Sequence, residues 1–209
     1  YIDDDGNPAT AGNWTRLGSG QMPGHLTDVT FNQDAASPVW VRSNSRFQLD
    51  SSTDGINWTT RQNAQGGNPE CFDIEYANNL WLAIGEQQFT GSANGQTWGT
   101  MNSPANRTMN SSAGNGGDIW ICVGPDGYVW LSTDNAATWS ESRVPDSRGA
   151  GNYSDMNDIA YDGSGVWVIV GDESEMWKSA DDGSTWTNIT PARSSYGNFG
   201  CIEFNILLS

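Results

Sequence analysis

The chain has 209 residues, which suits a single domain over residues 1–209. With 9 basic and 25 acidic residues its net charge is −16, so we expect no nucleic-acid partner and no docking on anionic membranes. No stretch approaches the roughly 18 apolar residues of a membrane-spanning helix, and we expect no membrane insertion. Twenty-five glycines and 11 tryptophans favour many short strands joined by tight turns.

The N-terminal segment YIDDDGNPATAGNWTRL predicts two strands joined by a turn, with the second strand at Trp14. Its DDDGN stretch at Asp3–Asn7 offers oxygen ligands of the kind that calcium prefers, but it lacks the downstream glutamate of an EF-hand loop. The same residues suit the predicted turn, so we expect no metal ion there and no cofactor elsewhere.

Four repeated units follow, and each predicts strands A, B, C and D. Strand A is predicted at DVTF, DIEY, the weaker TMNSSA and DIAY, which begin at Asp28, Asp73, Thr108 and Asp158. Strand B is predicted at PVWVRS, NLWLAIG, DIWICVG and GVWVIVG, around Trp40, Trp81, Trp120 and Trp167. Apolar and polar residues alternate in strands A and B, as in half-buried strands.

Strands C and D are predicted on either side of a turn that ends in tryptophan. The four segments are SSTDGINWTTR, GSANGQTWGTM, LSTDNAATWSES and KSADDGSTWTNI, with tryptophans at Trp58, Trp98, Trp139 and Trp186. These tryptophans are separated by 40, 41 and 47 residues. Four strands in a unit of this length match one blade of a β-propeller.

The C-terminal segment FGCIEFNILLS predicts a further strand A at Cys201–Phe204. Neither end of the chain makes a whole blade, but together they supply most of one, and a closed ring leaves no exposed sheet edge. We therefore predict an all-β fold: a five-bladed β-propeller of four-stranded antiparallel blades, one of them closed by pairing of the N- and C-termini. The alternative is that the chain is truncated from a longer protein.

The turn sequences resemble the Asp-box, or bacterial neuraminidase repeat, with the pattern S-x-D-x-G-x-x-W. The fourth turn matches in full through Ser179, Asp181, Gly183 and Trp186, while the third has Ala136 in place of the glycine. The first two turns resemble a shortened form of the repeat. Proteins with this repeat include sialidases, sortilin-type receptors, photosystem II assembly factors and phage or bacterial surface proteins. Because they share no function, the resemblance implies a scaffold, with structural roles for the Ser, Asp and Trp residues.

Enzyme activity is not expected from the residues present. Resemblance to sialidases would imply an arginine triad and an early Arg-Ile-Pro motif, but the nearest sequence is RVP at Arg143–Pro145. The single histidine, His25, has no G-x-S-x-G serine to partner it. We therefore predict no catalytic residues, with a sialidase-like glycoside hydrolase as the alternative.

Three cysteines cannot all pair with one another, and no Cys-x-x-Cys spacing suggests zinc. Cys71, Cys122 and Cys201 each lie in an apolar, strand-like stretch, and we expect them to be buried free thiols.

Arginines recur between each repeated tryptophan and the next strand A. In a propeller these connections lie at one mouth of the central channel, together with the B–C loops. The predicted binding residues are Arg61, Arg107, Arg148, Arg193, Tyr153 and Tyr196. Guanidinium and phenol groups on an acidic body suit a protein partner or an acidic glycan. The competing interpretation is that these arginines only hydrate the outer strand of each blade.

We therefore predict a non-enzymatic recognition or structural module that binds a protein or glycan through one propeller face. Resemblance places it on a virion or an extracellular surface. A second alternative is an assembly chaperone that resembles the photosystem II factors. The oligomeric state is left open.

Overall fold

The structure of the chain is a computed structural model that describes residues 24–32, 38–63, 66–67, 69–102, 107–149, 151–191 and 197–203. These residues form four antiparallel sheets of four strands each and contain no α-helix. Within the described ranges there is accordingly no helix that could span a membrane.

The strands of each sheet follow one another in chain order. The first sheet has β1 (Leu26–Phe31), β2 (Trp40–Asn44), β3 (Leu49–Ser52) and β4 (Thr59–Gln62). The second has β5 (Cys71–Ala77), β6 (Leu80–Gly85), β7 (Phe89–Ser92) and β8 (Gly99–Thr100). The third has β9 (Ser111–Gly114), β10 (Trp120–Val123), β11 (Tyr128–Ser132) and β12 (Ser140–Arg143). The fourth has β13 (Met156–Tyr161), β14 (Trp167–Gly171), β15 (Met176–Ser179) and β16 (Thr187–Asn188).

Apolar side chains fill the space between adjacent sheets. Val41 and Leu49 of the first sheet pack in one cluster with Ile74 and Trp81 of the second, and all four are essentially inaccessible to solvent. Similar clusters join the second sheet to the third and the third to the fourth. Burial of such side chains stabilises a fold by about 1.5–3 kcal/mol each, so these clusters hold the sheets face to face.

The first strands of the four sheets, β1, β5, β9 and β13, lie beside one another and line a channel. Aspartate side chains on these strands form hydrogen bonds with the neighbouring sheet. Asp28 accepts the backbone N–H of Ile74 at 2.7 Å, and Asp73 accepts that of Ser112 at 2.7 Å. On β9 the position of these aspartates is taken by Ser111, which instead donates its hydroxyl to Asp158 at 2.6 Å.

The repeated turns between the third and fourth strands are closed by their own side chains. In the fourth sheet the Ser179 hydroxyl donates to Asp181 and accepts the N–H of Gly183 at 2.9 Å. Asp181 also accepts the N–H and the hydroxyl of Thr185. These bonds explain why Ser recurs in all four turns and is followed by Asp in three of them and by Asn94 in the second.

The sixteen strands of the four repeated units are confirmed, including the weakly predicted β9. Four sheets are observed among the described residues, where five blades were predicted. The N-terminal hairpin and DDDGN lie outside the described residues, as does the tail after Glu203, and with them the predicted closure. Of the further strand A predicted at Cys201–Phe204, residues 201–203 are described and do not form a strand. Two hydrogen bonds nevertheless continue the pattern beyond the fourth sheet: Phe199 N–H donates to Gly171, and Ile202 N–H donates to Asp158.

The cysteine prediction is confirmed in two cases out of three. Cys71 and Cys122 are buried free thiols, but Cys201 is free and exposed. Cys201 precedes Ile202 as Asp73 precedes Ile74, and it lines the channel, which explains its contact with solvent.

Replacement of Ser179 by alanine should destabilise the fold by about 1–3 kcal/mol, because the buried N–H of Gly183 loses its acceptor. The matched control is Ser184→Ala in the same turn, whose side chain is exposed. Urea unfolding would measure both variants, and equal stability of the two would contradict this role of the turn.

Candidate functional site

The order of the strands places the connections at two opposite ends of the channel. Connections between the first and second strands share one end with the repeated turns. Connections between the second and third strands share the other end with those that lead to the next sheet. We call this second end the arginine face, defined by Arg107, Arg143, Arg148, Tyr128 and Tyr153.

Four side chains of the arginine face stack in alternation. The guanidinium of Arg107 lies 4.2 Å from the ring centre of Tyr128, and that of Arg143 lies 4.4 Å from the same ring. Arg143 also lies 3.5 Å from the ring centre of Tyr153. Arg143 is therefore held between two aromatic rings, an arrangement in which each contact contributes about 0.5–1 kcal/mol at an exposed site.

Strand pairing and the preceding turn fix this stack. Tyr128 on β11 lies directly opposite Arg143 on β12 in the strand register. The Nε and Nη2 atoms of Arg143 donate to the carbonyl oxygen of Asp126 at 2.8 and 2.5 Å. Gly127 has a φ of +70°, and a Cβ there would lie 2.4 Å from the Val144 carbonyl and 3.2 Å from the Tyr153 ring. Glycine thus allows Tyr153 to approach the turn.

A carboxylate connects the stack to the core. Glu141 accepts the indole N–H of the fully buried Trp130 at 3.0 Å and lies 3.6 Å from Nε of Arg107. The side chain of Arg107 is 48% exposed, so this ion pair alone adds little stability, but it orients the guanidinium over Tyr128.

The structure brings together some of the predicted residues and not others. Arg107 and Tyr153 join the stack. Arg148 pairs with the buried carboxylate of Asp146 and, at 3.2 Å, with Glu173. Burial acts to raise the pKa of Asp146, but the hydrogen bonds and charge of Arg148 outweigh it and hold that pKa below its usual value. Arg61 lies on β4 of the first sheet, where it donates to Ser51 at 2.7 Å.

Arg193 and Tyr196 lie outside the described residues. The placement of Arg61 on an outer strand agrees with the competing interpretation for that residue, since its donation to Ser51 stays within the first sheet. Two members of the stack are absent from the predicted set, Arg143 and Tyr128. Arg143 is one of the arginines that recur between a repeated tryptophan and the next strand A. Tyr128 could have been found by pairing β11 with β12 outward from the turn that joins them, because this register sets Tyr128 opposite Arg143.

The channel behind the arginine face is acidic. It has a volume of about 490 Å³, and Asp28, Asp73, Glu75 and Asp158 line it. Burial, and then the charge of Asp28, raises the pKa of Asp73 to about 7. Burial, followed by the charges of the neighbouring aspartates, raises the pKa of Glu75 well above its usual value, and burial likewise raises that of Asp28. The three aspartates are engaged in hydrogen bonds between sheets, which gives them a structural role.

Among the residues that the structure describes, no group of three or more His, Cys, Asp or Glu side chains has the geometry to hold a metal ion. His25 lies in the connection before β1, where its backbone N–H donates to Ser45 at 3.1 Å.

No protein-family model and no curated protein matches the chain. Solved β-propeller structures do match it. An ancestral GH74 enzyme is 18% identical with a TM-score of 0.64, over 79% of this chain and 24% of that one. A structure described as YCF48 bound to D1 peptide is 15% identical with a TM-score of 0.60, over 82% and 55%. YCF48 from Cyanidioschyzon merolae is 16% identical with a TM-score of 0.59, over 82% and 61%.

At these identities the likeness shows the fold alone: the chain has a β-propeller fold. The chain spans 24%, 55% and 61% of the length of these three structures.

Replacement of Asp73 by asparagine should make the stability of the fold less dependent on pH. The pKa of Asp73 is about 7 in the folded chain and about 3.8 when unperturbed, so the folded state binds more protons between these values. The contribution of Asp73 to the free energy of unfolding therefore falls as pH rises from about 3.8 to about 7. Urea unfolding at about pH 5 and about pH 8 should show a smaller decline for Asp73→Asn than for the unchanged chain.

The control is Asp54→Asn in the first repeated turn. Hydrogen bonds from Asn57, first of all its backbone N–H, lower the pKa of Asp54, so its contribution is lost only in strong acid. Between about pH 5 and about pH 8 this variant should show the same slope as the unchanged chain. An unchanged slope in Asp73→Asn would contradict the assignment.

Proposed function

We propose that this chain is a non-enzymatic recognition module that binds an acidic protein segment through the arginine face. The observation that carries the proposal is the position of Arg143, whose guanidinium lies between the rings of Tyr128 and Tyr153 and donates to a backbone carbonyl. A guanidinium held in this way loses little conformational freedom when it binds a carboxylate.

Charge supports the same choice of partner. The chain carries a net charge of −16, so most of its surface repels an acidic segment. On the arginine face, Arg107 and Arg143 bring two guanidinium groups against the same Tyr128 ring, and Arg107 forms an ion pair with Glu141. An acidic partner would then be steered to this end of the channel, with an association that weakens as salt is added.

One propeller of similar fold, YCF48, is described as bound to a peptide, and this favours a protein segment over an acidic glycan as the partner. We retain the position on a virion or an extracellular surface as part of this proposal. The Asp-box resemblance of the turns agrees with a scaffold role, because their Ser and Asp side chains are engaged in closing the turns.

Substitution of Arg143 by alanine should weaken the binding of an acidic peptide about tenfold or more, because the central guanidinium of the stack is lost. The probe is a fluorescein-labelled peptide of alternating glutamate and alanine, titrated by fluorescence anisotropy at low salt. Arg143→Lys should also bind weakly, since an ammonium keeps the charge but not the planar stack.

The matched control is Arg61→Ala, which removes the same charge from an exposed outer strand. Equal weakening in both variants would show an effect of net charge alone and would contradict the proposed site. Release of the fluorophore from 4-methylumbelliferyl sialic acid by the unchanged chain would contradict the non-enzymatic assignment and favour the sialidase-like alternative.

We also propose that a fifth blade follows the fourth and covers the outer face of β1. Two hydrogen bonds, from Phe199 to Gly171 and from Ile202 to Asp158, repeat those that join the earlier sheets. On β1, Leu26 is 61% exposed and Val29 54%, whereas Cys71 and Ile74, at the same positions of β5, are buried. Exposure of these two apolar side chains is what an uncovered blade face would give.

Substitution of Leu26 by aspartate should therefore destabilise the fold by about 3 kcal/mol or more, because an unpaired charge would be buried beneath the fifth blade. Ile56→Asp, at a position that is 55% exposed in a turn, should change stability by no more than about 0.5 kcal/mol. Urea unfolding would measure both. A small effect in Leu26→Asp would contradict the closed ring.

A further inference from the structure

The channel opens at the end opposite the arginine face into a second cavity of about 580 Å³. Its walls come from the connections between the first and second strands of the second, third and fourth sheets. We call it the tyrosine mouth, which is lined by Tyr76, Asn78, Asn79, Asn115 and Tyr161 together with small residues. Its volume lies within the range of about 300–1,000 Å³ that is typical of small-molecule sites.

The cavity lies where the third sheet departs from the repeat. The residue of the first strand that pairs with the second-strand tryptophan is aromatic in three sheets, as Phe31, Tyr76 and Tyr161, but it is Gly114 in the third. A Cβ at Gly114 would lie 2.4 Å from the Ala77 Cβ and 3.2 Å from the Trp120 ring. Gly114 therefore allows Ala77 and Trp120 to pack closely against β9, and the third sheet places no aromatic ring between Tyr76 and Tyr161.

Each of the two tyrosine rings packs against a tryptophan ring. The Tyr76 ring centre lies 4.9 Å from that of Trp81, and the Tyr161 ring centre lies 4.6 Å from that of Trp167. Both tryptophans are fully buried. The tyrosines are half-buried, so each keeps part of its surface open to the cavity while its position is fixed. Fixed, partly open rings at a cavity are the surfaces on which a flat apolar face packs with little loss of entropy.

The remaining lining is polar and neutral. Asn78 and Asn79 form a tight turn with positive φ angles, and the Tyr76 hydroxyl donates to Asn79 at 3.5 Å. Asn115 accepts the N–H groups of Gly117 and Ile119, which fixes its amide. The described lining contains no charged side chain. Amide and phenol groups beside aromatic rings suit a ligand that has an apolar face and several hydroxyl groups.

The acidic channel next to the tyrosine mouth determines which ligand charge is favourable there. Gly114 and Tyr161 line both cavities, so the carboxylates of Asp73, Glu75 and Asp158 lie directly behind the tyrosine mouth. An anionic ligand would be repelled there, whereas hydroxyl groups can donate to carboxylates. We propose that the tyrosine mouth binds a neutral saccharide, with a pyranose ring packed against Tyr76 and Tyr161.

The test is isothermal titration calorimetry of the full chain with four probes: cellotetraose, maltotetraose, xylotetraose and chitotetraose. At least one should bind to the unchanged chain with a dissociation constant of about 1 mM or tighter. Tyr161→Ala should weaken that binding about tenfold or more, and Tyr161→Phe should keep most of it, because the ring supplies the packing surface. Tyr76→Ala provides a second variant should Tyr161→Ala fail to fold.

The matched control is Phe31→Ala, which removes the equivalent aromatic ring of the first sheet outside the described lining of the mouth. It should leave binding unchanged. Absence of binding for all four probes, or equal weakening by Phe31→Ala and Tyr161→Ala, would overturn the proposal. A further pair of probes, lactose and sialyllactose, tests the charge argument, and tighter binding of sialyllactose would also overturn it.

This inference is independent of the proposed function. Arg143 lies at the other end of the channel, so Arg143→Ala should leave the affinity for the tetrasaccharide unchanged while it weakens binding of the acidic peptide. Loss of both activities in Arg143→Ala would show that the peptide and the saccharide share one site, and that result would overturn the assignment of the saccharide to the tyrosine mouth.

Discussion

The arrangement of this protein depends on carboxylates that accept backbone N–H groups across the gap between neighbouring sheets. Asp28 accepts from Ile74, Asp73 from Ser112 and Asp158 from Ile202, each at 2.7 Å. Hydrogen bonds to a charged acceptor are roughly twice as strong as neutral ones, and here they fix where each sheet meets the next. Their cost is that like charges gather in one channel, where burial and mutual repulsion raise the pKa of Asp28 and Asp73.

This constraint also divides the molecule into two ends with different chemistry. The acidic channel separates the guanidinium groups of the arginine face from the neutral amides and phenols of the tyrosine mouth. In our proposals an acidic segment binds at the first end and a neutral polyhydroxyl ligand at the second. A single set of four sheets can therefore present two surfaces of different chemistry.

Sequence reasoning predicted the strands because each one depends on local patterns. Alternation in DIEY and WVIVG, and the side chains that close each Ser-x-Asp turn, operate within a few residues. The contacts that make the sites join residues far apart in sequence, as Asp73 does with Ser112 and Arg107 with Tyr128. They depend on how neighbouring strands and sheets are set against one another, which no local pattern encodes, although the strand register alone would have paired Tyr128 with Arg143.

Both candidate sites lie where the third unit departs from the repeat. Tyr128 occupies a position that is Gln48, Gln88 and Glu175 in the other sheets, as the strand registers show. Gly114 replaces the aromatic residue of the other three sheets. The first, second and fourth sheets form with other residues at these two positions, so the repeat as such does not require them. In the third sheet Gly114 also allows the close approach of Ala77. The third sheet thus carries one departure from the repeat at each end of the channel, with Tyr128 in the stack of the arginine face and Gly114 in the lining of the tyrosine mouth.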